Sequence, residues 1–139
     1  MIVGYTTGVF DLFHVGHVNL LERAKSMCDR LIVGVSTDKL VGYKHKKPVI
    51  PFLERIEVVR ACKYVDLVVP QCSMDKAEAF ERYHFNIMFV GDDWFKTDKW
   101  NKIEDAMNEK GVRLIYLPYT KTTSSTLINK TLEQLRSDD

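Results

Sequence analysis

Five short apolar runs alternate along this chain with segments whose apolar residues recur at helical spacing. That alternation restricts the fold more than any other feature. The apolar runs are residues 2–6, 31–35, 64–69, 87–90 and 112–117, and the helical segments are 15–27, 52–63, 75–83, 99–109 and 124–135. In the first helical segment the apolar positions are Val18, Leu20, Leu21 and Ala24; in the last they are Leu127, Ile128, Leu132 and Leu135. Leu31-Ile32-Val33-Gly34-Val35 is apolar without a break, as suits a strand buried on both faces. Strand and helix in turn predict an α/β fold, a Rossmann-like doubly wound five-stranded parallel sheet with helices on both faces and right-handed crossovers. The expected strand order is 3-2-1-4-5. Pro70 and Pro118 are expected to stop the third and fifth strands. Gly111 is expected at a helix C-terminus, and Thr123 or Ser124 as the N-cap of the last helix. Residues 38–51, polar and basic with two prolines near the end, read as a loop.

The 139 residues are enough for one domain with a core of its own, and 1–139 is expected to be a single domain. A net charge of +1 offers no global field for polymeric nucleic acid or an anionic membrane. The basic residues are concentrated locally, with Lys39, Lys44, His45, Lys46 and Lys47 in one stretch. Alone, such a run reads as a solvated loop; its place after the second strand gives it a second reading. Cys28, Cys62 and Cys72 are odd in number and lack C-x-x-C spacing, so they are expected as reduced, partly buried thiols of a cytoplasmic protein. Residues 1–5 have no signal-peptide pattern, and no apolar run approaches the ~20 residues of a membrane span.

In sheets of this kind ligands bind beyond the carboxyl ends of the strands, near the switch between strands 1 and 4. Four unusual segments fall at such ends: G-V-F-D-L-F-H-V-G-H at residues 8–17, Gly91-Asp92-Asp93-Trp94, the hydroxyl-rich stretch 119–126, and the basic loop 44–47. His14 and His17, three apart, share one side of a helix's first turn. Free backbone N–H groups and the positive end of the macrodipole lie there too, so the turn suits phosphate oxygens. Gly8 allows a sharp turn and close approach of a ligand. Gly16 lies between the histidines, where a side chain would crowd a phosphate. Two half-buried, hydrogen-bonded histidines are the plainer reading, but the strand-turn-helix context favours function. A zinc site lacks a third ligand nearby. G-x-G-x-x-G is absent, which disfavours a redox dinucleotide domain. Asp11 reads either as a cap on the turn's N–H groups or as a residue that orients a neighbour. In the run Thr120-Lys121-Thr122-Thr123-Ser124-Ser125-Thr126 a helix cap needs only one hydroxyl; a set of phosphates would use several.

The segment 8–17 resembles the H-x-G-H signature of the nucleotidyltransferase superfamily. Within it the chain is similar to the cytidylyltransferase family nearly from end to end. Leu20–Lys25 (L-L-E-R-A-K), Ser36–Asp38 (S-T-D), Lys44 and Lys46, Glu54-Arg55, Tyr64–Asp66 (Y-V-D) and Gly91–Trp94 (G-D-D-W) carry the likeness. It implies that an alcohol phosphate attacks the α-phosphorus of CTP directly, giving a CDP-alcohol and pyrophosphate for cell-surface polymers such as teichoic acid or capsule. Mg²⁺ would accompany the triphosphate, with no protein ligand assigned. By position, Gly8, Val9, Phe10, His14, Val15, Gly16, His17, Lys46, Lys63, Gly91, Asp92, Tyr119, Thr120, Lys121, Ser124, Ser125 and Thr126 would form the CTP site. His14, His17, Lys44 and Lys46 would be catalytic. Asp11, Lys44 and Lys76 would hold the acceptor. Arg55 and Asp66 would be structural or dimer residues, and the helix 52–63, which carries Arg55, would be the homodimer contact.

The family's last motif reads R-T-E-G-I-S-T-T, whereas this chain has Tyr119, Lys121 and Thr122 at the arginine, acidic and glycine positions. Lys63 replaces another arginine and Val9 a threonine, and lysine does not reproduce arginine's bidentate grip. The resemblance puts glycerol 3-phosphate first as acceptor. It leaves open another polyol or amino-alcohol phosphate, or adenylyl transfer from ATP on the same fold.

Overall fold

A computed structural model describes residues 1–42, 47–91, 97–118 and 125–137. In the last segment the side chains described are those of residues 128 and 130–136. Five strands, β1 (Val3–Gly8), β2 (Arg30–Ser36), β3 (Leu67–Gln71), β4 (Ile87–Gly91) and β5 (Arg113–Leu117), form one sheet in the order β3-β2-β1-β4-β5. Every pairing is parallel, with Tyr5 beside Ile32 and Met88 and Val35 beside Pro70. The helices are α1 (Val15–Ser26), α2 (Asp38–Gly42), α3 (Phe52–Arg60), α4 (Lys76–Tyr83), α5 (Asp98–Glu109) and α6 (Ser125–Ser137). The expected fold and strand order are those observed.

The side-chain alternation of the strands divides the core between the two faces of the sheet. On one face Leu31, Val33 and Val35 pack with Leu21 and Ala24 of α1 and with Ile56 and Val59 of α3. On the other, Tyr5, Ile32, Met88 and Val90 pack with Trp100 and Met107 of α5. Tyr5 stacks on Phe85 at 4.6 Å between ring centroids. An unbroken apolar run in β2 is therefore what a strand covered on both sides requires.

Three local expectations change. Residues 38–42, read as loop, form the short helix α2, with Val41 buried beneath it. Pro70 does not stop β3 but lies inside it. β3 is an edge strand, so the proline ring costs no ladder hydrogen bond on the side that lacks a partner. Cys72, expected to be partly buried, is exposed. Gly111 does follow the end of α5, with φ +81, the left-handed conformation that ends helices at little cost to glycine. The proposed cap residues Thr123 and Ser124 lie outside the described residues.

Candidate active site

The loop between β1 and α1 is held in an unusual conformation. Phe10 and Leu12 have φ of 54° and 50°, values that side-chain-bearing residues avoid at a cost on the order of 1 kcal/mol each. Buried groups impose them. The Phe10 ring is packed into the core, and a Cβ on Gly8 would come within 2.9 Å of it, so only glycine fits there. Arg55, 1% exposed, donates to the carbonyls of Val9 (2.7 Å), Ser36 (2.8 Å) and Ile50 (2.8 Å) and to the Asp38 carboxylate (2.6 Å). Burial alone would raise the Asp38 carboxyl, but Arg55 and the Phe52 N–H outweigh it and hold it below its ordinary value. Asp11 accepts from the backbone N–H groups of Val49 (2.8 Å) and Ile50 (2.9 Å). The expected cap thus acts across the fold, on the loop before α3.

This clamp presents the first turn of α1. His14 is its N-cap, and its Nδ1 accepts from the Gly16 N–H at 3.0 Å. Reciprocally, Nδ1 of His17 accepts from the His14 N–H at 3.0 Å. Two histidines thus do what Ser and Glu do in an ordinary capping box. With each Nδ1 used as an acceptor, the neutral ring carries its proton on Nε2 and can donate from there. The rings are 4.1 Å apart. His17 also lies 5.1 Å from Phe13 and 5.5 Å from Phe10. Burial among these rings, reinforced by His14, pushes His17 down to about 4; burial lowers His14 as well. Near neutral pH the turn offers two uncharged N–H donors beside free helix N–H groups.

A crevice of about 690 Å³ opens beyond the carboxyl ends of the strands. Gly8, Val9, Phe10, Asp11, His17, Lys76 and Gly91, all expected in the site, line it. His14 stands beside His17. Val15 and Gly16 form the first turn of α1; Val15 is half exposed. Lys76 is only 8% exposed at the start of α4; its Nζ is 3.5 Å from the Thr7 hydroxyl and 5.9 Å from the centre of the Trp100 ring. Ser125 and Thr126 open α6. Lys44, Lys46, Asp92, Tyr119, Thr120, Lys121 and Ser124 lie outside the described residues.

Lys63 is not brought to the crevice. Helix α3 runs away from the carboxyl ends of the strands, and Lys63 follows it at the opposite end of the sheet, its Nζ 5.2 Å from the Tyr64 ring centre. The expectation that Lys63 grips nucleotide is corrected on that ground. Arg55 is internal rather than surface. Asp66 also ties structure together, accepting from Lys25 Nζ (2.6 Å) and the Leu31 N–H (2.7 Å).

Several lining residues had no signal in the sequence: Gln71, Met74, Lys99, Trp100, Lys130 and Glu133; Ser36 was visible only within the S-T-D motif. The former come from several elements, β3, the segment after it, α5 and α6, and local spacing does not connect those elements. Lys47, also in the lining, was visible only as part of the basic run. Among the described residues no group of three His, Cys, Asp or Glu could hold a metal ion, and no helix is long and apolar enough to cross a membrane.

Residues 5–131 match the family model described as cytidylyltransferase-like. A protein of Staphylococcus aureus named glycerol-3-phosphate cytidylyltransferase is 34% identical over 128 residues, 91% of this chain and 92% of that protein. The Bacillus subtilis protein of the same name is 34% identical over 131 residues, 94% of this chain and 96% of that one. An FAD synthase of Thermococcus kodakarensis is 30% identical over 132 residues, 92% and 87% of the two chains. Among solved structures, a lipopolysaccharide core biosynthesis protein from Thermoplasma volcanium has a TM-score of 0.73 at 26% identity, covering 88% of this chain and 99% of that one.

Proposed function

The chain belongs to the cytidylyltransferase-like family of nucleotidyltransferases, and from that premise we propose that it transfers CMP from CTP to a small alcohol phosphate, glycerol 3-phosphate first among them. One observation carries the reading: two neutral imidazoles at the mouth of α1 and a buried lysine at the mouth of α4 are gathered at one crevice. Donors of fixed direction suit a polyphosphate, and a lysine suits an incoming phosphate as a point charge.

In this reading a phosphate oxygen of the acceptor attacks the α-phosphorus of CTP. The bond from that phosphorus to the bridging oxygen breaks, and pyrophosphate leaves with the bond's electrons. No covalent enzyme intermediate forms. Nε2–H of His14 and of His17 donate to oxygens of the α- and β-phosphates as charge moves onto the leaving group. Lys76, with Lys44 and Lys46, holds the acceptor and the triphosphate. The lining is rich in donors, and its Asp11 carboxylate already accepts two N–H groups. That set fits Mg²⁺ bound by the triphosphate's own oxygens rather than by side chains; the ion would offset charge on the departing pyrophosphate. The same reading carries a cytoplasmic homodimer. Leu53 and Val58, exposed on α3, support a contact on that helix, with Arg55 buried behind it.

The test is pyrophosphate release with Mg²⁺ and each of CTP, ATP, GTP and UTP, against glycerol 3-phosphate, phosphoethanolamine and phosphocholine. CTP with glycerol 3-phosphate should be fastest, and EDTA should abolish release. His14→Ser keeps an N-cap acceptor but loses the Nε2 donor, so it should lower kcat on the order of 10²–10³-fold with the fold intact. Turnover with ATP alone would replace this reading by adenylyl transfer. Near-normal kcat in His14→Ser would remove that imidazole from the mechanism.

A further inference from the structure

The end of the crevice away from α1 is built from β2, β3 and α4, and one polar pair there has no role in the chemistry above. Gln71 closes β3 and Ser36 closes β2, at 6% and 4% exposure, and both line the crevice. The Ser36 hydroxyl donates to Oε1 of Gln71 at 2.7 Å, and the Gln71 carbonyl accepts from the Thr37 N–H. With Oε1 engaged by the Ser36 hydroxyl, Nε2 faces away from Ser36. The polar contact of Nε2 among the described residues is Met74 Sδ at 3.7 Å, a weak acceptor at long range. A buried amide donor held in place against a thioether gains by meeting an oxygen instead.

Resting on the reading of this crevice as an acceptor site, we propose that the Gln71–Ser36 pair is its specificity determinant, Nε2 of Gln71 donating to a hydroxyl of the acceptor's carbon chain. Lys76 takes the acceptor's phosphate, and the amide takes an uncharged hydroxyl further along. An ammonium group in that place would meet an N–H donor. It would also find the Trp100 ring already facing Lys76 Nζ at 5.9 Å, so a second cation is repelled where it would otherwise be welcomed. Among the described residues the acids lining the crevice are Asp11, on the α1 side, and Glu133, on α6. The pair therefore selects a neutral polyol phosphate over an amino-alcohol phosphate.

The experiment compares kcat/KM for glycerol 3-phosphate with that for 3-hydroxypropyl phosphate, which lacks the middle hydroxyl, and for phosphoethanolamine. It is run on the wild-type protein and on Gln71→Met, with KM for CTP followed throughout. Wild type should prefer glycerol 3-phosphate over both alternatives by roughly 10-fold or more. Gln71→Met, similar in volume but without the amide, should bring the ratio to the deoxy acceptor close to one and leave KM for CTP unchanged. Wild type using both acceptors equally would overturn the proposal whether or not the variant folds. So would a folded Gln71→Met that keeps the discrimination or slows both acceptors alike. No pyrophosphate release by wild type with CTP and any acceptor would instead overturn the underlying assignment of the crevice, and this proposal with it.

Discussion

Phe10, Phe13 and His14 surround the His17 ring, and the cost of charging that ring in their midst sets its protonation. In the unfolded chain the imidazole titrates near 6.5; folded, it is pushed down to about 4. Between those values the unfolded chain holds a proton that the folded chain refuses. Stability from this group is therefore complete above pH 6.5 and is lost as the pH falls toward 4. The difference is about 3 kcal/mol at full strength, which partial access of water to the ring reduces to about 1–2 kcal/mol. Urea unfolding at pH 7 and pH 4.5 should give a larger loss for wild type than for His17→Gln, whose amide keeps a cap acceptor without titrating. Equal losses would mean that the ring is not desolvated. The H-x-G-H spacing made the shared turn legible. It did not reveal that each ring caps the other's backbone, because that depends on the extended conformation at His14, φ −142° and ψ −177°.

At the scale of elements, Arg55 joins α3 to the β1–α1 loop, the end of β2 and the loop before α3 by way of the carbonyls of Val9, Ser36 and Ile50. Arg55→Ala would leave those acceptors and Asp38 without their donor. Asp38 is half exposed and would keep its water, so the loss comes from the three carbonyls and the emptied space, about 2–4 kcal/mol, which equilibrium unfolding in urea would read. Arg55→Lys should recover less than half of that, because an ammonium cannot reproduce the guanidinium's planar fork. Full recovery would show that charge alone matters there. In the sequence Arg55 is one basic residue on an amphipathic helix, as Lys63 is. Only the path of α3, down from the crevice and away from it, separates their fates: one becomes a strut beneath the β1–α1 loop, the other stands at the far end of the sheet.

Across the whole molecule, the two halves of the core meet through a sheet that tolerates little extra volume. A Cβ on Gly4, in β1, would lie 2.7 Å from the Phe89 ring and 2.8 Å from Cys28 Sγ. Gly4→Ala should cost about 1–3 kcal/mol by overpacking. Gly42→Ala, where nothing among the described residues stands within 4 Å, should be neutral or slightly stabilising. Urea midpoints of the two variants check this, and equal midpoints would show that β1 can move to make room. The crevice is a property of the same scale. Residues separated by more than a hundred positions, Thr6 and Glu133 among them, line one cavity because parallel strands deliver their carboxyl ends to one edge.

The sequence by itself determined the alternation of strand and helix, the strand order that follows from it, and the histidine-bearing turn, since each depends on local periodicity and short-range spacing. Tertiary structure alone decided which polar residues meet. Gln71 against Ser36, Lys76 over Trp100 and Asp11 on the loop before α3 are pairings between elements, and Lys63 is excluded by the direction of a helix. Such contacts depend on how whole elements are laid side by side, a long-range consequence of burying both faces of one sheet.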